Sequence, residues 1–491
     1  MIVIILQLHF VQVLPILRLL SPFRDIAIGR GSWEVRPVQK IHFVGIKGSG
    51  ISALAQVYAR MGCEVTGSDT DAVFFTDELL RQAGITQISG PSAHNVQDAD
   101  IVCHSPAYGD DHIEIKTARE LGIEVLTYPQ MLGRLMESRM ESTVTVSGTH
   151  GKTTTTSMIA NMLLFAELDP LAIIGSKNYN IGTNGRYGTG HLVAEACEYR
   201  RNFHNYSPKI AIINNIDFDH PDYFSGIDDV FDAFQTFVDK VPEDGHLITW
   251  GDQALCRQLV STGKILYFGL NHTNDIYATD VTEQRGMISF MAWERGQQLG
   301  TIEVRAIGEH NVLNVLAAIT LSRILQVPFE AVQKSFTNFG GVYRRFDYLG
   351  RLGDVEVYDD YAHHPSEIEA TLKAVKRSFA RDHLLTVFQP HTVSRTLAFL
   401  DEFADALTLS DEVMLVKIYQ SAREVGDRAE ELTNLLAERI AARGKTVHLV
   451  NTLEEGTEWI LQQRAGKAGL VLTMGAGDIR GIGERLIAVH V

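Results

Sequence analysis

Ser142-Thr-Val-Thr-Val-Ser-Gly-Thr-His-Gly-Lys-Thr-Thr-Thr-Thr-Ser157 decides how the rest of the chain is read. Alternation at Val144 and Val146 predicts a short strand, and Met158, Ile159, Met162 and Leu163 predict the apolar stripe of a following helix. Between them, Gly148-Thr149-His150-Gly151-Lys152-Thr153 is a glycine-rich turn. Such a turn aims backbone N–H groups and the positive end of a helix at one point, which suits a phosphate. Lys152 is placed to reach the β- and γ-phosphates of a nucleoside triphosphate, and the Thr153 hydroxyl to ligate Mg2+. The loop is shorter than the common phosphate loop, because Val146 stands where that pattern has its first glycine.

With 491 residues the chain is too long for one core and predicts about three domains. Its 45% hydrophobic and 21% charged residues are those of an ordinary globular protein. A net charge of −16 argues against nucleic acid or an anionic membrane as the main partner, so a polyanionic ligand must be held by local clusters. Cys63, Cys103, Cys197 and Cys256 lie far apart without C-x-x-C spacing, which suggests neither disulfides nor a zinc site and fits a reducing, cytoplasmic setting. Residues 1–37 read as an extension outside the fold. Met1 to Leu20 is apolar but interrupted by Gln7, His9, Gln12, Pro15 and Arg18, and lacks a basic start and a small-residue cleavage site. No stable membrane insertion is expected from it.

Upstream of the loop, Lys40 to Ile46 reads as a buried strand, Gly48-Ser-Gly-Ile-Ser52 as a turn, and Ile51 to Met61 as a helix. A second strand follows from Cys63 and ends at Ser68-Asp69. This is a Rossmann-like opening, and Gly48, Gly50, Ala53 and Asp69 can be laid on the dinucleotide pattern, so a nicotinamide-dependent oxidoreductase is one reading. A nucleotide sugar would use the same turn equally well. His104 and Ser105 end a later strand and face the same crevice.

Downstream, Leu192 to Tyr199 predicts a strand carrying Glu195, and Lys209 to His220 a buried strand running into Asp217, Asp219 and His220. Beside a phosphate loop, Glu195 and His220 are candidate ligands for a divalent ion. Asn311 and Asn314 stand one helical turn apart on one face, where amides suit an adenine edge. From Tyr343 onward, strands at 355, 384, 413, 446 and 470 alternate with helical segments such as Glu367 to Ser378, predicting a parallel α/β sheet. The expected units are 38–140, 141–342 and 343–491. They are a Rossmann-like domain, a central phosphate-loop α/β domain and a second Rossmann-like α/β domain.

The ordered set Gly148-Thr-His-Gly-Lys-Thr-Thr154, Glu195, Asn215-Ile-Asp-Phe-Asp-His220, His310-Asn-Val-Leu-Asn314, Arg344-Arg-Phe346, Asp359-Asp-Tyr-Ala-His-His-Pro365 and Gly475-Ala-Gly-Asp478 resembles the Mur ligases. Within that family the 359–365 run and the glycine turn at 45–52 are most similar to the alanine-adding branch. The resemblance implies ATP-dependent joining of L-alanine to the carboxylate of UDP-N-acetylmuramate in peptidoglycan precursor synthesis. A sibling activity, addition of a preformed tripeptide in wall recycling, and an ATP-driven module without ligation are the alternatives.

Position by position, the resemblance implies that Gly48, Ser49, Gly50 and Ser52 hold the pyrophosphate of the UDP-sugar, with Asp69 and Ser105 near the nucleoside. Gly148, Thr149, His150, Gly151, Lys152 and Thr154 would cradle the ATP phosphates. Thr153 and Glu195 would bind one Mg2+ and His220 a second. His310, Asn311 and Asn314 would face adenine, and Arg345 and Asp360 would close over ATP. Tyr361, His363 and Arg395 would line the amino-acid site, with Lys152, His220, His363 and Arg395 in catalytic roles. Two positions depart from the family pattern: Thr392 stands where many members have arginine, and Gln235 at the spacing of a modified lysine. The sequence leaves oligomeric state open.

Overall fold

The computed structural model describes residues 38–221, 223–380, 382–419, 428–464 and 469–489. The expected extension, 1–37, lies outside the described residues. Three separate sheets, of five, ten and six strands, organise the rest.

The first sheet is parallel throughout, in the spatial order Thr86–Ser89, Glu64–Asp69, Lys40–Val44, Ile101–His104, Glu124–Thr127. The strand order reverses beside Lys40–Val44. In open α/β sheets a reversal leaves a crevice at the carboxyl ends of the strands, and ligands bind there. Ile41 and Phe43 from the central strand bury against Leu54 and Val57 of helix Ser49–Arg60.

The second sheet carries the phosphate loop. Strand Thr143–Ser147 lies between Ile210–Ile213 and Leu192–Glu195, parallel to both. The sequence predicts longer strands here. The strand bearing Glu195 ends at that residue, and Tyr199–Asn205 is a 3-10 segment. The strand expected to reach His220 ends at Ile213, because Asn214 and Asn215 turn their side chains onto the phosphate loop. An antiparallel meander, Ile276–Gln284, Met287–Glu294 and Gln297–Arg305, extends this sheet and is absent from the sequence reading. Helices Lys152–Phe165 and Glu309–Ile324 cover the sheet and are themselves buried on almost every face.

The third sheet runs Asp347–Leu352, Val355–Asp360, Gly469–Met474, Leu384–Phe388, Glu412–Val416, Thr446–Val450. It is parallel except for its first strand, an antiparallel edge. The chain is thus α/β throughout. Among the described residues, no helix is long and apolar enough to cross a membrane.

Candidate functional site

Gly148 and Gly151 take φ of +134° and +81°, and helix Lys152–Phe165 begins without a side-chain cap. Its first N–H groups are therefore available to an anion. A Cβ on Gly151 would stand 2.6 Å from Asn314 Oδ1 and 2.9 Å from Asn214 Nδ2, so glycine is required for both conformation and space. Neighbouring strand ends hold the loop: Asn215 Oδ1 accepts the His150 N–H at 2.8 Å, and the Thr149 hydroxyl donates to the Asp217 carbonyl at 3.1 Å.

Lys152 Nζ lies 3.0 Å from Glu198 Oε2 and donates to the carbonyls of Gly148 and Thr149. Burial alone would lower the ammonium's pKa, but Glu198 outweighs it and holds Lys152 above its ordinary value. Burial would likewise raise Glu198, which Lys152 and His220 instead hold low. His220 Nε2 is 3.6 Å from Glu198 Oε1. The sequence reading missed Glu198, although it stands three residues after Glu195 in the same acidic run.

Thr153 Oγ1 donates to Glu195 Oε2 at 3.0 Å, and the Gly175 N–H donates to Oε1. A Cβ on Gly175 would lie 2.8 Å from each Glu195 oxygen, so the chain leaves room for this carboxylate alone. Burial pushes the Glu195 pKa up. Its charge is met by a hydroxyl and an amide rather than by an ion pair among the described residues, an arrangement that fits a divalent cation. His220 sits with Glu198 and not with this pair. Among the described residues no three His, Cys, Asp or Glu side chains converge on one point, so a bound Mg2+ would draw further ligands from phosphate and water.

A cavity of about 1050 Å3 opens beside the loop, lined by His150, Gly151, Thr154, His310, Asn311 and Asn314 from the central unit and by Arg345 and Asp360 from beyond it. The asparagines are already engaged. Asn314 Oδ1 accepts from Thr155 at 3.0 Å, its Nδ2 donates to Asn311 Oδ1 at 3.0 Å, and Asn311 Nδ2 donates to the Ile307 carbonyl at 2.7 Å. Asp360 accepts the N–H groups of Phe346 and Ala362, and burial pushes its carboxyl pKa up to about 6. Tyr361, His363 and Arg395 lie outside this lining. The Arg345 guanidinium sits 5.2 Å over the Tyr361 ring, the Tyr361 and His363 rings meet edge to face at 5.3 Å, and Arg395 acts electrostatically on His363. Thr392, at φ +71°, leads into the short helix that carries Arg395.

In the first crevice, helix Ser49–Arg60 also begins after a glycine, Gly48, without a side-chain cap. Ser52 Oγ donates to the Ser49 carbonyl, a Cβ on Gly50 would meet Tyr128 at 2.9 Å, and Asp69 Oδ2 accepts the Lys47 N–H at 2.8 Å. The Ser105 hydroxyl accepts from the Ala107 N–H at 3.3 Å. A connection missed in the sequence binds this crevice to the phosphate site. Residues 175–184 contribute Gly175 to Glu195, Asn178 to Ser157 at the phosphate-loop helix, Tyr179 to Asp347, and Asn184 to Ser49 and Ser52.

Two helix N-termini thus begin on glycine without a side-chain cap, one of them beside a buried lysine and carboxylates. Comparison with known proteins places the chain in a family. Residues 40–140 match the Mur ligase family catalytic domain, 146–322 the Mur ligase middle domain and 344–477 the Mur ligase glutamate ligase domain. The UDP-N-acetylmuramate--L-alanine ligase of Desulfitobacterium hafniense is 44% identical over 91% of this chain and 99% of that protein. The enzyme of the same name from Acetivibrio thermocellus is 38% identical over 91% of this chain and 95% of its own length. The crystal structure of UDP-N-acetylmuramate-alanine ligase from Thermotoga maritima superposes with a TM-score of 0.80 at 28% identity, covering 92% of this chain and 99% of that one. A murein peptide ligase from Psychrobacter arcticus shares the fold at TM-score 0.69 and 24% identity, over 92% of this chain and 98% of its own. On these matches and this geometry, the chain belongs to the Mur ligase family.

Proposed function

We propose that this chain joins L-alanine to the carboxylate of UDP-N-acetylmuramate at the expense of ATP, giving ADP and phosphate, as a step of peptidoglycan precursor synthesis in the cytoplasm. The observation that carries the reading is near full-length identity of 44% to a relative bearing that name, on a chain that pairs Lys152 with Glu198 and hydrogen-bonds Thr153 to Glu195 beside its phosphate loop.

A carboxylate is a poor acyl donor, because oxide would have to leave. Activation solves this: a carboxylate oxygen attacks the γ-phosphorus, ADP departs, and an acyl phosphate results. The amine of alanine then attacks the carbonyl carbon, and inorganic phosphate leaves from a tetrahedral intermediate. The first step brings anions together, so Lys152 and the N–H groups of Gly151 and its neighbours serve to neutralise charge. Thr153 and Glu195 are the residues that would hold one Mg2+ and His220 a second, and these ions would supply further charge neutralisation when bound. Arg345 and Asp360 would meet the nucleotide from the C-terminal unit, while Tyr361, His363 and Arg395 orient the incoming amine. In the first unit, Gly48, Ser49, Gly50 and Ser52 would take the pyrophosphate, with Asp69 and Ser105 toward the nucleoside. The proposed limits of the three units are 38–140, 141–342 and 343–491.

The test is an incubation with UDP-N-acetylmuramate whose carboxylate carries oxygen-18, ATP, Mg2+ and alanine, read by mass spectrometry. Label in inorganic phosphate together with a product heavier by one alanyl residue is expected. Unlabelled phosphate beside new amide would overturn the acyl phosphate. Amide formed with a tripeptide and not with alanine would assign the sibling activity.

A further inference from the structure

Glu367 lies in the first turn of helix Pro365–Ser378, in the C-terminal unit, yet it faces the phosphate loop. Its Oε1 is 3.3 Å from His150 Nδ1. Its Oε2 accepts the backbone N–H groups of His363 at 3.1 Å and His364 at 3.3 Å, and lies 3.4 Å from His363 Nδ1. Ser366 Oγ stands 3.4 Å from His150 Nε2, so both nitrogens of the loop histidine are turned to the C-terminal unit. The pair is only about one-fifth exposed, with side-chain accessibilities of 23% and 20%.

A carboxylate in a cavity built for a polyphosphate is repelled by the ligand unless cations stand between them. Glu367 faces two groups able to carry positive charge, the His150 and His363 imidazoles, and Arg345 also acts on it electrostatically. Its use is therefore to arrange them. One oxygen fixes the imidazole of the phosphate loop, and the other fixes the turn that carries His363. The two oxygens of a single side chain tie the expected ATP site to the expected amino-acid site.

We propose that Glu367 is a positioning residue for both halves of the ligation, acting through His150 on the nucleotide and through the His363 turn on the amine. This rests on the ligase reading above. It implies that docking of the C-terminal unit and completion of the phosphate site are one event, since His150 is oriented only when helix Pro365–Ser378 is in place.

Glu367→Gln tests it without removing the helix cap, because glutamine serves the same capping position through its amide oxygen. In the full chain, E367Q is expected to keep its melting midpoint within a few degrees, to raise the KM for ATP about tenfold and to lower kcat about tenfold, leaving the KM for UDP-N-acetylmuramate unchanged. Tenfold is the size of one charge-assisted hydrogen bond. His150→Asn should reproduce the ATP effect, and the double variant should bind ATP no more weakly than H150N alone. Values for E367Q within twofold of the wild type, or effects of the two substitutions that multiply, would overturn the proposal. So would an E367Q chain unfolded at assay temperature, which would make helix capping the residue's role. Calorimetric titration of the full-length chain with ATP reads the Glu367–His150 coupling whatever acid or amine is ligated. Wild-type protein that binds ATP but forms no alanyl amide would sink the ligase reading and leave that titration to judge the coupling.

Discussion

Asn184 Nδ2 donates to the Ser49 carbonyl at 2.7 Å, reaching from the central unit into the first turn of the helix at the proposed sugar-nucleotide crevice. The same amide nitrogen is 3.1 Å from Ser52 Oγ, and its oxygen accepts from Gln56 Nε2 at 2.7 Å. Asn184 is 1% exposed, so its loss leaves Gln56 with an unmet buried donor. Asn184→Ala should destabilise the protein by about 1–3 kcal/mol and raise the KM for the sugar nucleotide well above that for ATP. Thermal unfolding and steady-state kinetics check this; a defect confined to ATP would contradict it.

Lys152→Ala is expected to lower turnover by about 10^3-fold, as loss of a comparable electrostatic stabiliser does. It also takes from Glu198, which is 2% exposed, its lysine partner and leaves His220 at 3.6 Å beside the buried carboxylate. Adding Glu198→Gln to K152A should recover melting temperature without recovering turnover, because the buried charge disappears while the phosphate cation is still missing. Near-normal turnover in K152A would contradict its assignment.

The His150–Glu367 pair gives stability a pH signature. Burial works against the charge on His150, but Glu367 raises its pKa above the ordinary 6.5, so its contribution is complete below that value and is lost as pH climbs through the raised one. Burial also works against Glu367, but His363 and His150 hold it well below the ordinary 4.5, so its contribution is present above that value and is lost in stronger acid. Lys152 opposes and Asp217 supports the charge on His150, while Arg345 supports that on Glu367. The gap in melting temperature between wild type and E367Q should be widest from pH 4.5 to 6.5 and narrow above it. A gap that widens through pH 8 would refute the pairing.

Arg344 donates to the carbonyls of Gly475 and Gly477 while its Nε lies 3.1 Å from the buried Asp359 carboxylate. Arg480 supplies a second cation, 3.3 Å from Asp359 and 2.6 Å from Asp347. A lysine ammonium cannot span these acceptors as a planar guanidinium does. Arg344→Lys should therefore cost about 1–3 kcal/mol, seen as a lowered transition in scanning calorimetry. An unchanged transition would show that the fork is dispensable.

The chemistry was most readable where the partners are near in sequence. The strand, glycine turn and helix at 143–165 are contiguous, and Asn311 with Asn314 share a helix face by spacing alone. Glu198 escaped because Arg200 and Arg201, at φ of +50° and +55°, bend the chain just after it and no periodicity marks the result. Asn184 escaped because its partners lie 128 to 135 residues away in another unit. Glu367 left a signal that was passed over: His-Pro followed by Ser-Glu is a capping box. The meander at 276–305 was legible too, since Ile288, Phe290 and Ala292 alternate as one buried face.

Lys152 and Asn214 follow, and Glu195 ends, three neighbouring strands of a single sheet, Thr143–Ser147, Ile210–Ile213 and Leu192–Glu195. The residues proposed to recognise the acid and the amine hang from the two flanking sheets. On the proposed roles, the partners that are joined can change at the periphery while the strands that carry the nucleotide chemistry stay as they are.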